Sequence, residues 1–558
     1  MLKSIIAIIV LFTFSLSAQA PLPNVQTSMF AGSGNCAICH SSDGVNVLTH
    51  NGQDISMVTA WRSTMMGNSS KDPLWRAMVS EETNRFPMLK NTIENTCTRC
   101  HAPMGYTESE RAGNEFYTMD SLRVSTFAND GVNCTVCHQI KPENFGQQAS
   151  YSGHYKIDTT RIIYGPYQNP LAQPMISMSN FTPVFATHMN SSELCATCHT
   201  LFTPYLDNNN QIAGTFPEQT PYLEWKNSVY NGTSTNCQSC HMPVITDSID
   251  IATIPAWHVV KRAPFRKHDF VGGNYYMLEM MKNNIDSLGL TATAAQITGT
   301  QEKALQNLRN GISLSATSEI IGDTIEITVV IQNLTGHKIP SGIPTRRMWI
   351  NLQAKDHLGN VMFDNGRYNS EGRILGYDSS YEKHYDVINQ GDQIQVYEAI
   401  IGDVDNERTY TLLRAATYLK DNRIPPVGFT SQHSSYDSTK IYGEALYDPN
   451  FNKSGGIEGS GKDVVRYRFA RGNAASVTVN TKLLFQTVMW EFADHLTHVP
   501  TYDAQKFVQM YHTTPNIPLV AAEKEIQFVV TDVKNEGAPS SFILHQNYPN
   551  PFNPETTI

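Results

Sequence analysis

The stretch Cys195-Ala-Thr-Cys198-His199 places two cysteines three positions apart, with a histidine directly after the second cysteine. The same C-x-x-C-H spacing recurs at Cys36-Ala-Ile-Cys39-His40, Cys97-Thr-Arg-Cys100-His101, Cys134-Thr-Val-Cys137-His138 and Cys237-Gln-Ser-Cys240-His241. These five pentapeptides use all 10 cysteines of the chain. Given 18 histidines in 558 residues, random placement would produce only about 0.006 such pentapeptides. The repeat therefore indicates one chemical task that is carried out five times.

The C-x-x-C-H pattern is the attachment signature of c-type haem. Two intervening residues allow a single helical turn to present both thiols to one edge of a porphyrin, where they add to its two vinyl groups. The histidine that follows then lies beneath the iron as its proximal ligand. We therefore predict five covalently bound haems, held by the ten cysteines, with proximal iron ligands His40, His101, His138, His199 and His241.

Disulfides and zinc sites are the other common uses of paired cysteines, and both explain the pattern less well. Disulfides are the default for cysteines of an exported chain, but they do not explain a histidine after every second cysteine. A zinc site needs four ligands and usually combines different spacings. The haem interpretation also leaves no thiol for a disulfide that would stabilise the fold.

The N-terminal segment has the features of a signal peptide. Lys3 supplies a positive charge, Ile5–Leu16 is an uncharged apolar run, and Ala18-Gln19-Ala20 is a small-x-small cleavage site. The apolar run is shorter than the ~20 residues of a membrane-spanning helix, and no later segment is apolar enough to span. We expect residues 1–20 to be removed and the protein to be exported to the periplasm, cell surface or exterior of a Gram-negative bacterium, without a transmembrane span.

The charge balance limits the classes of partner. The formal net charge is −10, and the propionates of five haems would bring it to about −20. An acidic surface disfavours nucleic acid and anionic lipid. We expect redox proteins or an extracellular electron acceptor as partners, whereas the oligomeric state cannot be predicted.

The pattern of apolar and polar residues changes after Gly311. Before this point, residues 21–300 hold all five motifs among short, mostly irregular or helical segments, which predicts a haem-packed domain; helices are expected at Met57–Met66, Tyr275–Leu288 and Gln301–Leu308. After it, alternating segments predict an antiparallel, immunoglobulin-like β-sandwich over residues 311–535. The predicted strands are Ile312–Ala316, Thr324–Gln332, Trp349–Lys355, Gln393–Ile400, Ser476–Phe485 and Glu525–Val533, with a late helix at Thr501–Tyr511.

Residues 30–280 resemble the multihaem superfamily that includes the tetrahaem nitrification cytochrome and hydroxylamine oxidoreductase. Besides the five motifs, Trp61-Arg62-Ser63-Thr64-Met65-Met66-Gly67 resembles a Trp-x-x-Ser-x-His-Ala phrase of that group. The histidine of the phrase is a distal iron ligand, and Met66 stands at its position here. The resemblance therefore implies Met66, or its neighbour Met65, as a distal ligand.

Two further resemblances lie downstream. Asn333-Leu334-Thr335-Gly336-His337-Lys338-Ile339-Pro340-Ser341-Gly342 resembles a loop of the β-rich module attached to many multihaem cytochromes, which implies that His337 points at a haem. Leu544-His545-Gln546-Asn547-Tyr548-Pro549-Asn550-Pro551-Phe552-Asn553-Pro554 resembles the opening of a type IX secretion sorting domain. Residues 540–558 are thus interpreted as the start of a sorting segment, with a Pro/Asn-rich tail as the alternative.

A haem iron that only carries electrons needs a sixth, distal ligand to complete its coordination. His268 is the first candidate, because the glycines of Arg266-Lys267-His268-Asp269-Phe270-Val271-Gly272-Gly273 allow a porphyrin to approach closely. The other candidates are His337, His188 (seven residues before Cys195), His154 and Met66, with His50 and His258 as reserves. Two histidines on one iron give low potentials, whereas a Met/His pair raises the potential.

The leading functional hypothesis is electron transfer without catalysis, because five haems attached along a short stretch must pack into a relay. An oxidoreductase acting on a small nitrogen or sulfur compound at an open-coordinate haem is the alternative. A high-spin ferric signal would favour this alternative, and five low-spin haems would oppose it. A surface-binding function of the β-rich domain, with haems present for stability, is a third hypothesis.

Overall fold

The computed structural model describes residues 19–257, 261–377 and 380–530. The predicted signal peptide up to residue 18, His258, and the sorting segment from residue 540 lie outside the described residues. The chain is multidomain, with a helical region that carries the motifs (the motif region, residues 19–310) and a sheet-rich region (the β region, residues 311–530).

The motif region is built from short helices and short strand pairs. Its helices are α1 (Ser33–His40), α2 (Met57–Arg62), α3 (Pro73–Arg85), α4 (Lys90–His101), α5 (Pro103–Arg111), α6 (Met119–Val124), α7 (Cys134–Cys137), α8 (Ala172–Ser179), α9 (Ser192–His199), α10 (Pro221–Lys226), α11 (Cys237–His241), α12 (Tyr275–Lys282), α13 (Ile285–Leu288) and α14 (Ala294–Asn310). Its strands are β1 (Thr49–His50), β2 (Gln53–Asp54), β3 (Ile162–Gly165), β4 (Thr182–Phe185), β5 (Leu201–Leu206), β6 (Ile212–Gln219), β7 (Val244–Ile245), β8 (Ile249–Asp250), β9 (Lys261–Arg262) and β10 (Phe265–Arg266). Among the described residues of this region, the strands form two-stranded sheets only.

Polar side chains at the N-termini fix where several helices begin. Asp72 accepts hydrogen bonds from the backbone of Leu74 and Trp75 and so caps α3. Asn133 caps the motif helix α7 in the same way. Thr293 forms a capping box with Gln296, so α14 begins at Ala294, seven residues before the start predicted from the apolar pattern.

The β region consists of two sheets and two helices. Its elements are β11 (Ile312–Ile321), β12 (Thr324–Asn333), β13 (Arg347–Asp356), β14 (Val361–Asn365), β15 (Val387–Ile388), β16 (Val396–Gly402), β17 (Thr417–Asp421), β18 (Lys453–Ser454), β19 (Ile457–Glu458), β20 (Lys462–Ala470), β21 (Ser476–Gln486), α15 (Trp490–Thr497), α16 (Tyr502–Thr513) and β22 (Leu519–Val529). One sheet has the order β11-β12-β20-β15, and the other has the order β17-β16-β13-β21-β22 with β14 paired to β13. Most pairs are antiparallel, although β15 runs parallel to β20.

The two sheets pack against each other through one core. Alternate residues of β12 (Ile325, Ile327, Val329 and Ile331) are fully buried and share this core with Ile350 and Leu352 of β13 and with Val477 and Val479 of β21. The period of two that predicted these strands is therefore the period of burial in the structure. The two packed sheets agree with a sandwich, whereas the immunoglobulin-like strand order stays a prediction.

Most predicted elements of the β region are present with shifted ends. The strand predicted at Ser476–Phe485 runs from Ser476 to Gln486. The last strand was predicted at Glu525–Val533 but begins earlier, at Leu519, and ends at Val529. Within the described residues, no helix has the length and apolarity needed to cross a membrane.

Candidate haem sites

Each C-x-x-C-H motif lies on a short helix, as the attachment chemistry requires. Helices α1, α4, α9 and α11 end at the motif histidine, and α7 spans Cys134–Cys137 with His138 directly after it. One helical turn thus turns both thiols of each motif to the same side. No disulfide joins any of the ten cysteines, all of which lie in the described part of the chain.

The five motifs line one continuous cavity of about 1740 Å³. All ten cysteines and all five motif histidines contribute to its wall. A pocket for one drug-sized molecule has a volume of about 300–1,000 Å³, so this space exceeds the needs of a single small ligand. Its size and its ordered thiol and imidazole groups fit several large apolar cofactors that share one interior.

Four motif histidines are oriented through the ring nitrogen that iron does not use. Their Nδ1 atoms lie at hydrogen-bond distance from backbone carbonyl oxygens: His40 to Ile251 (2.8 Å), His101 to Ser69 (3.1 Å), His138 to Tyr164 (2.7 Å) and His241 to Val271 (2.5 Å). A histidine that binds a metal commonly donates its other N–H in this way. The arrangement places the proton on Nδ1 and leaves the Nε2 lone pair free for iron.

Burial keeps these imidazoles neutral. It lowers the pKa of His101 to about 4, with a small opposing effect of the Ser69 carbonyl. Burial also lowers the pKa of His241 to about 4, and His337 lowers it further. A neutral imidazole is the form that binds a metal, so both side chains are ready to do so at neutral pH.

His268 faces His138 across the cavity. Their ring centres are 6.3 Å apart, and the ring planes differ by 12°. Two imidazoles bound to opposite faces of one iron, with metal–nitrogen bonds of about 2 Å, have ring centres about 6 Å apart. His268 Nδ1 lies 3.1 Å from the Arg266 carbonyl oxygen, which leaves its Nε2 free. The two imidazoles therefore have the separation of a pair that binds one iron at the third motif.

His337 faces His241 in the same manner, although it comes from the β region. The ring centres are 6.2 Å apart, and the planes differ by 22°. His337 Nδ1 lies 3.0 Å from the carbonyl oxygen of Lys338, which again leaves Nε2 free. These two imidazoles also have the separation of a pair that binds one iron, here at the fifth motif. The loop that contains His337 thus reaches the motif region.

The other two histidine candidates lie elsewhere. His188 places its Nε2 3.0 Å from the Ile140 carbonyl oxygen and packs edge-on against Tyr164 and Phe145, outside the cavity wall. His154 uses Nδ1 toward Tyr151 (2.7 Å) and Nε2 toward Arg99 (3.0 Å), so both ring nitrogens are engaged. Neither side chain lines the cavity, and both ring nitrogens of His154 are occupied; ligation by His188 and His154 stays a prediction.

The remaining candidates have mixed positions. Met65 and Met66 both line the cavity, so the prediction of a methionine ligand stays open to either side chain. His50 places its Nε2 2.9 Å from Asp247 Oδ2 and does not line the cavity. His258, the other reserve, lies outside the described residues.

Several contacts of the site were not predicted. Trp75 of α3 stacks on His101, with ring centres 4.4 Å apart and planes that differ by 4°. Such a flat contact fixes the rotation of the imidazole about its own axis. Trp75 and the backbone carbonyls that accept from the motif histidines carry no sequence signal, because they are set by tertiary packing.

Contacts between thiols of different motifs show which motifs are neighbours. In three places a thiol of one motif raises the pKa of a thiol of another: Cys36 acts on Cys134, Cys198 on Cys100, and Cys237 on Cys195. Cys198 also raises the pKa of Cys137, after burial. The first motif therefore adjoins the third, the third adjoins the fourth, and the fourth adjoins both the second and the fifth.

Two buried carboxyl groups line the cavity near the second motif. Burial raises the pKa of Glu82 to about 8, and the neighbouring Glu81 raises it further, against the backbone N–H groups of Leu412 and Leu413. Burial raises the pKa of Glu218 to about 7, against a hydrogen bond from Thr203. Both side chains belong to the cavity wall, so this part of it changes charge near neutral pH.

A buried cluster in the β region has ligand-type side chains but does not fit a metal. His384 Nε2 lies 2.9 Å from Asp448 Oδ2 and 3.9 Å from Asp463 Oδ1. The amides of Gln395 and Asn422 both donate to His384 Nδ1, and their oxygens accept backbone N–H groups, which fixes their orientation. The ring proton must therefore lie on Nε2 and point at Asp448. A metal would need that lone pair, so the cluster is a closed hydrogen-bond network.

The fold and the arrangement of the site define a class. The chain has the fold of a multihaem c-type cytochrome. It is similar to the solved structure of a penta-heme cytochrome c552 from Thermochromatium tepidum, with a TM-score of 0.50 and 15% sequence identity, over 90% of this chain and 99% of that chain. No family model and no curated protein matches the sequence.

This similarity changes the view of the β region. An overlap of 90% of the chain cannot be reached without most of residues 311–530. The similarity therefore includes most of the β region, and the predicted division into two domains stays a prediction.

Proposed function

We propose that the chain is an exported pentahaem c-type cytochrome that relays electrons between redox partners at or outside the cell envelope. One observation carries the proposal: all ten cysteines and all five motif histidines line a single cavity. The cysteine pairs would hold the cofactors covalently, and His40, His101, His138, His199 and His241 would be the proximal ligands. When bound, each haem supplies an iron that takes up and gives back one electron.

The distal ligands are best supported for two motifs. His268 would serve the third motif and His337 the fifth, because their rings stand at the separation of an axial pair. Their Nδ1–H groups donate to backbone carbonyls and fix the tautomer. Two histidine ligands stabilise the ferric state, so these two sites would have low potentials.

The contacts between thiols of different motifs suggest a route for electrons through the protein. It runs from the first motif to the third, then to the fourth, and from there to the fifth, with the second motif as a branch on the fourth. The fourth motif is thus the junction of the route. Partners at the first and fifth motifs would exchange electrons through Cys195-Ala-Thr-Cys198-His199.

Two double variants test the relay. Cys195→Ala with Cys198→Ala removes the attachment point at the junction, and Cys97→Ala with Cys100→Ala removes it at the branch. Mass spectrometry should show five haems in the wild type and four in each variant. In rapid-mixing experiments with a reduced redox protein, only the junction variant should leave part of the haem slowly reduced. A wild-type chain without haem, or equal kinetics in both variants, would refute the relay.

A second candidate function is favoured by a different observation. Among the described residues, the cavity wall contributes only His268 and His337 besides the five motif histidines. An iron without a strong sixth ligand would be open to a small nitrogen or sulfur compound. An electron paramagnetic resonance spectrum with a high-spin ferric component would favour this function, and five low-spin signals would exclude it.

A further inference from the structure

The histidine of the second motif is held by one short segment of the chain. Ser69 contacts His101 twice: its carbonyl oxygen lies 3.1 Å from the imidazole Nδ1, and its hydroxyl group donates to the His101 carbonyl oxygen at 2.9 Å. In the same segment, Trp75 stacks on the imidazole, with ring centres 4.4 Å apart and planes that differ by 4°. Residues 69–75 therefore fix the backbone, one edge and one face of this histidine.

The indole of Trp75 is itself firmly placed. It is 8% exposed and belongs to a small apolar cluster with Val79, Ala102 and Tyr106. Asp72 caps helix α3 and accepts a hydrogen bond from the backbone N–H of Trp75. The indole cannot move away from the imidazole unless this cluster repacks.

The contact leaves the iron-binding nitrogen of His101 free. A distance of 4.4 Å between ring centres is that of two rings in direct face contact. The rings of His138 and His241 instead face a second imidazole at 6.3 and 6.2 Å, which is the separation of two ligands on one iron. Trp75 thus touches the face of the imidazole, whereas Nε2 lies in the ring plane and both side chains line the cavity.

The electrostatics of this stack depend on the oxidation state of an iron bound to His101. An imidazole that binds ferric iron shares part of the positive charge of the metal. The face of an indole ring is negative and attracts positive charge, more strongly where water is excluded. The stack should therefore stabilise the ferric state more than the ferrous state, and it should stop the imidazole from turning about its bond to iron.

We propose that Trp75 is a positioning residue for the second haem, which fixes the rotation of the His101 imidazole and lowers the potential of that haem. The inference rests on the proposed function, because it needs a haem attached to Cys97 and Cys100. It also adds to the proposed route. A lower potential at the second motif, which is the branch, favours electrons on the fourth motif and so keeps them on the main path.

The test uses the haem-loaded protein and three variants. Trp75→Leu removes the aromatic face and keeps an apolar side chain, whereas Trp75→Phe keeps a smaller aromatic face. Trp490→Leu is the matched control, because this indole is partly buried, lies against Arg373 at 4.2 Å and does not line the cavity. Mass spectrometry first counts the haems of the wild type and of each variant, so a failure of the proposed function is recognised separately from a failure of this inference.

A redox titration and electron paramagnetic resonance then measure the effect. Trp75→Leu should shift one of the five haems to higher potential and broaden its resonance signal, because the imidazole can turn. Trp75→Phe should show a smaller shift in the same direction, and Trp490→Leu should show none.

A further variant assigns the effect to one haem. In protein that also carries Cys97→Ala and Cys100→Ala, and therefore lacks the second haem, Trp75→Leu should change no potential. Two results would overturn the proposal: potentials and signals of the wild type in a fully loaded Trp75 variant, or a shift that persists when the second haem is absent.

Discussion

The motif region and the β region bury their apolar side chains in different ways. In the β region, both sheets contribute to one continuous core that includes Ile327, Ile350 and Val479. In the motif region, small clusters, such as the one around Leu48 and Phe265, surround the large cavity, and a larger cluster that includes Leu74, Met280 and Phe507 joins helices of both regions. A sheet provides its own flat apolar face, whereas short helices joined by irregular segments leave the centre of the region to another group. The centre of the motif region is thus lined by the cavity, whereas the core between the two sheets is filled by the chain's own side chains.

The two regions are nevertheless tied together by buried charges. Lys338 and Arg423 of the β region both pair with Asp421, at 2.7 Å each. Arg423 also lies 3.1 Å from Glu224 of α10, and the backbone N–H of Lys338 donates to the same carboxylate. This network stands directly beside His337. The β region thus holds His337 beside the motif region through an ionic anchor.

The largest expected effect is a difference in folding between the two regions when haem is absent. Chain produced without haem attachment should lose the structure of the motif region, because its cavity would collapse or fill with water. The core between the two sheets should survive. Limited proteolysis followed by mass spectrometry should show cuts within residues 33–290 and a resistant fragment within residues 311–530. Equal resistance of both regions would break the comparison, and the haem-loaded protein is the control.

The second effect concerns the anchor. Asp421→Asn should remove the counter-ion of two buried cations and destabilise the protein by about 3–5 kcal/mol. Burial alone would raise the pKa of Asp421. Arg423 and Lys338 nevertheless hold this pKa below the usual range, so the two cations favour the ionised carboxylate. The midpoint of guanidinium unfolding, followed by circular dichroism, should fall accordingly.

The control for this variant is the same substitution on the surface. Asp437 is 90% exposed and pairs with Lys440 at 3.0 Å. Exposed pairs of this kind add little, so Asp437→Asn should leave the midpoint unchanged. Equal shifts in the two variants would show that the buried network is not an anchor.

A third and smaller effect tests whether the β region completes a haem site. His337→Ala should convert one of five haems from low spin to high spin without loss of any haem, because Cys237 and Cys240 are untouched. His268→Ala should do the same for the third motif, from within the motif region. Electron paramagnetic resonance reports both changes. Two fully low-spin variants would mean that neither histidine is an axial ligand.

The sequence predicted those parts of the molecule that depend on local spacing. The motif helices follow from C-x-x-C-H, and the strands β11, β12 and β21 follow from alternation of apolar side chains, which is why their positions agree with the structure. The pairing of His268 with His138 did not follow, because nothing local connects residues so far apart. Spacing also could not rank His188 and His154 below His268. The local sequence of a histidine in a polar loop is the same whether its nitrogens bind iron or a backbone carbonyl group. The start of α14 was misplaced because the capping box at Thr293 lies outside the apolar pattern.

The smallest effect lies at the boundary between the regions, where Glu82 of α3 accepts hydrogen bonds from the backbone of Leu412 and Leu413. Burial raises the pKa of Glu82 from 4.5 to about 8, so the folded protein holds this proton more tightly than the unfolded chain. Stability should therefore fall as the pH rises from about 4.5 to about 8 and level off above that range. Glu82→Gln should flatten this part of the profile, because its amide stays neutral at every pH, whereas Glu115→Gln at an exposed side chain should not. Unfolding midpoints between pH 5 and pH 9 measure the slope, and a wild-type profile that rises with pH would show that Glu82 is ionised at the boundary and that the two regions meet there through a charge.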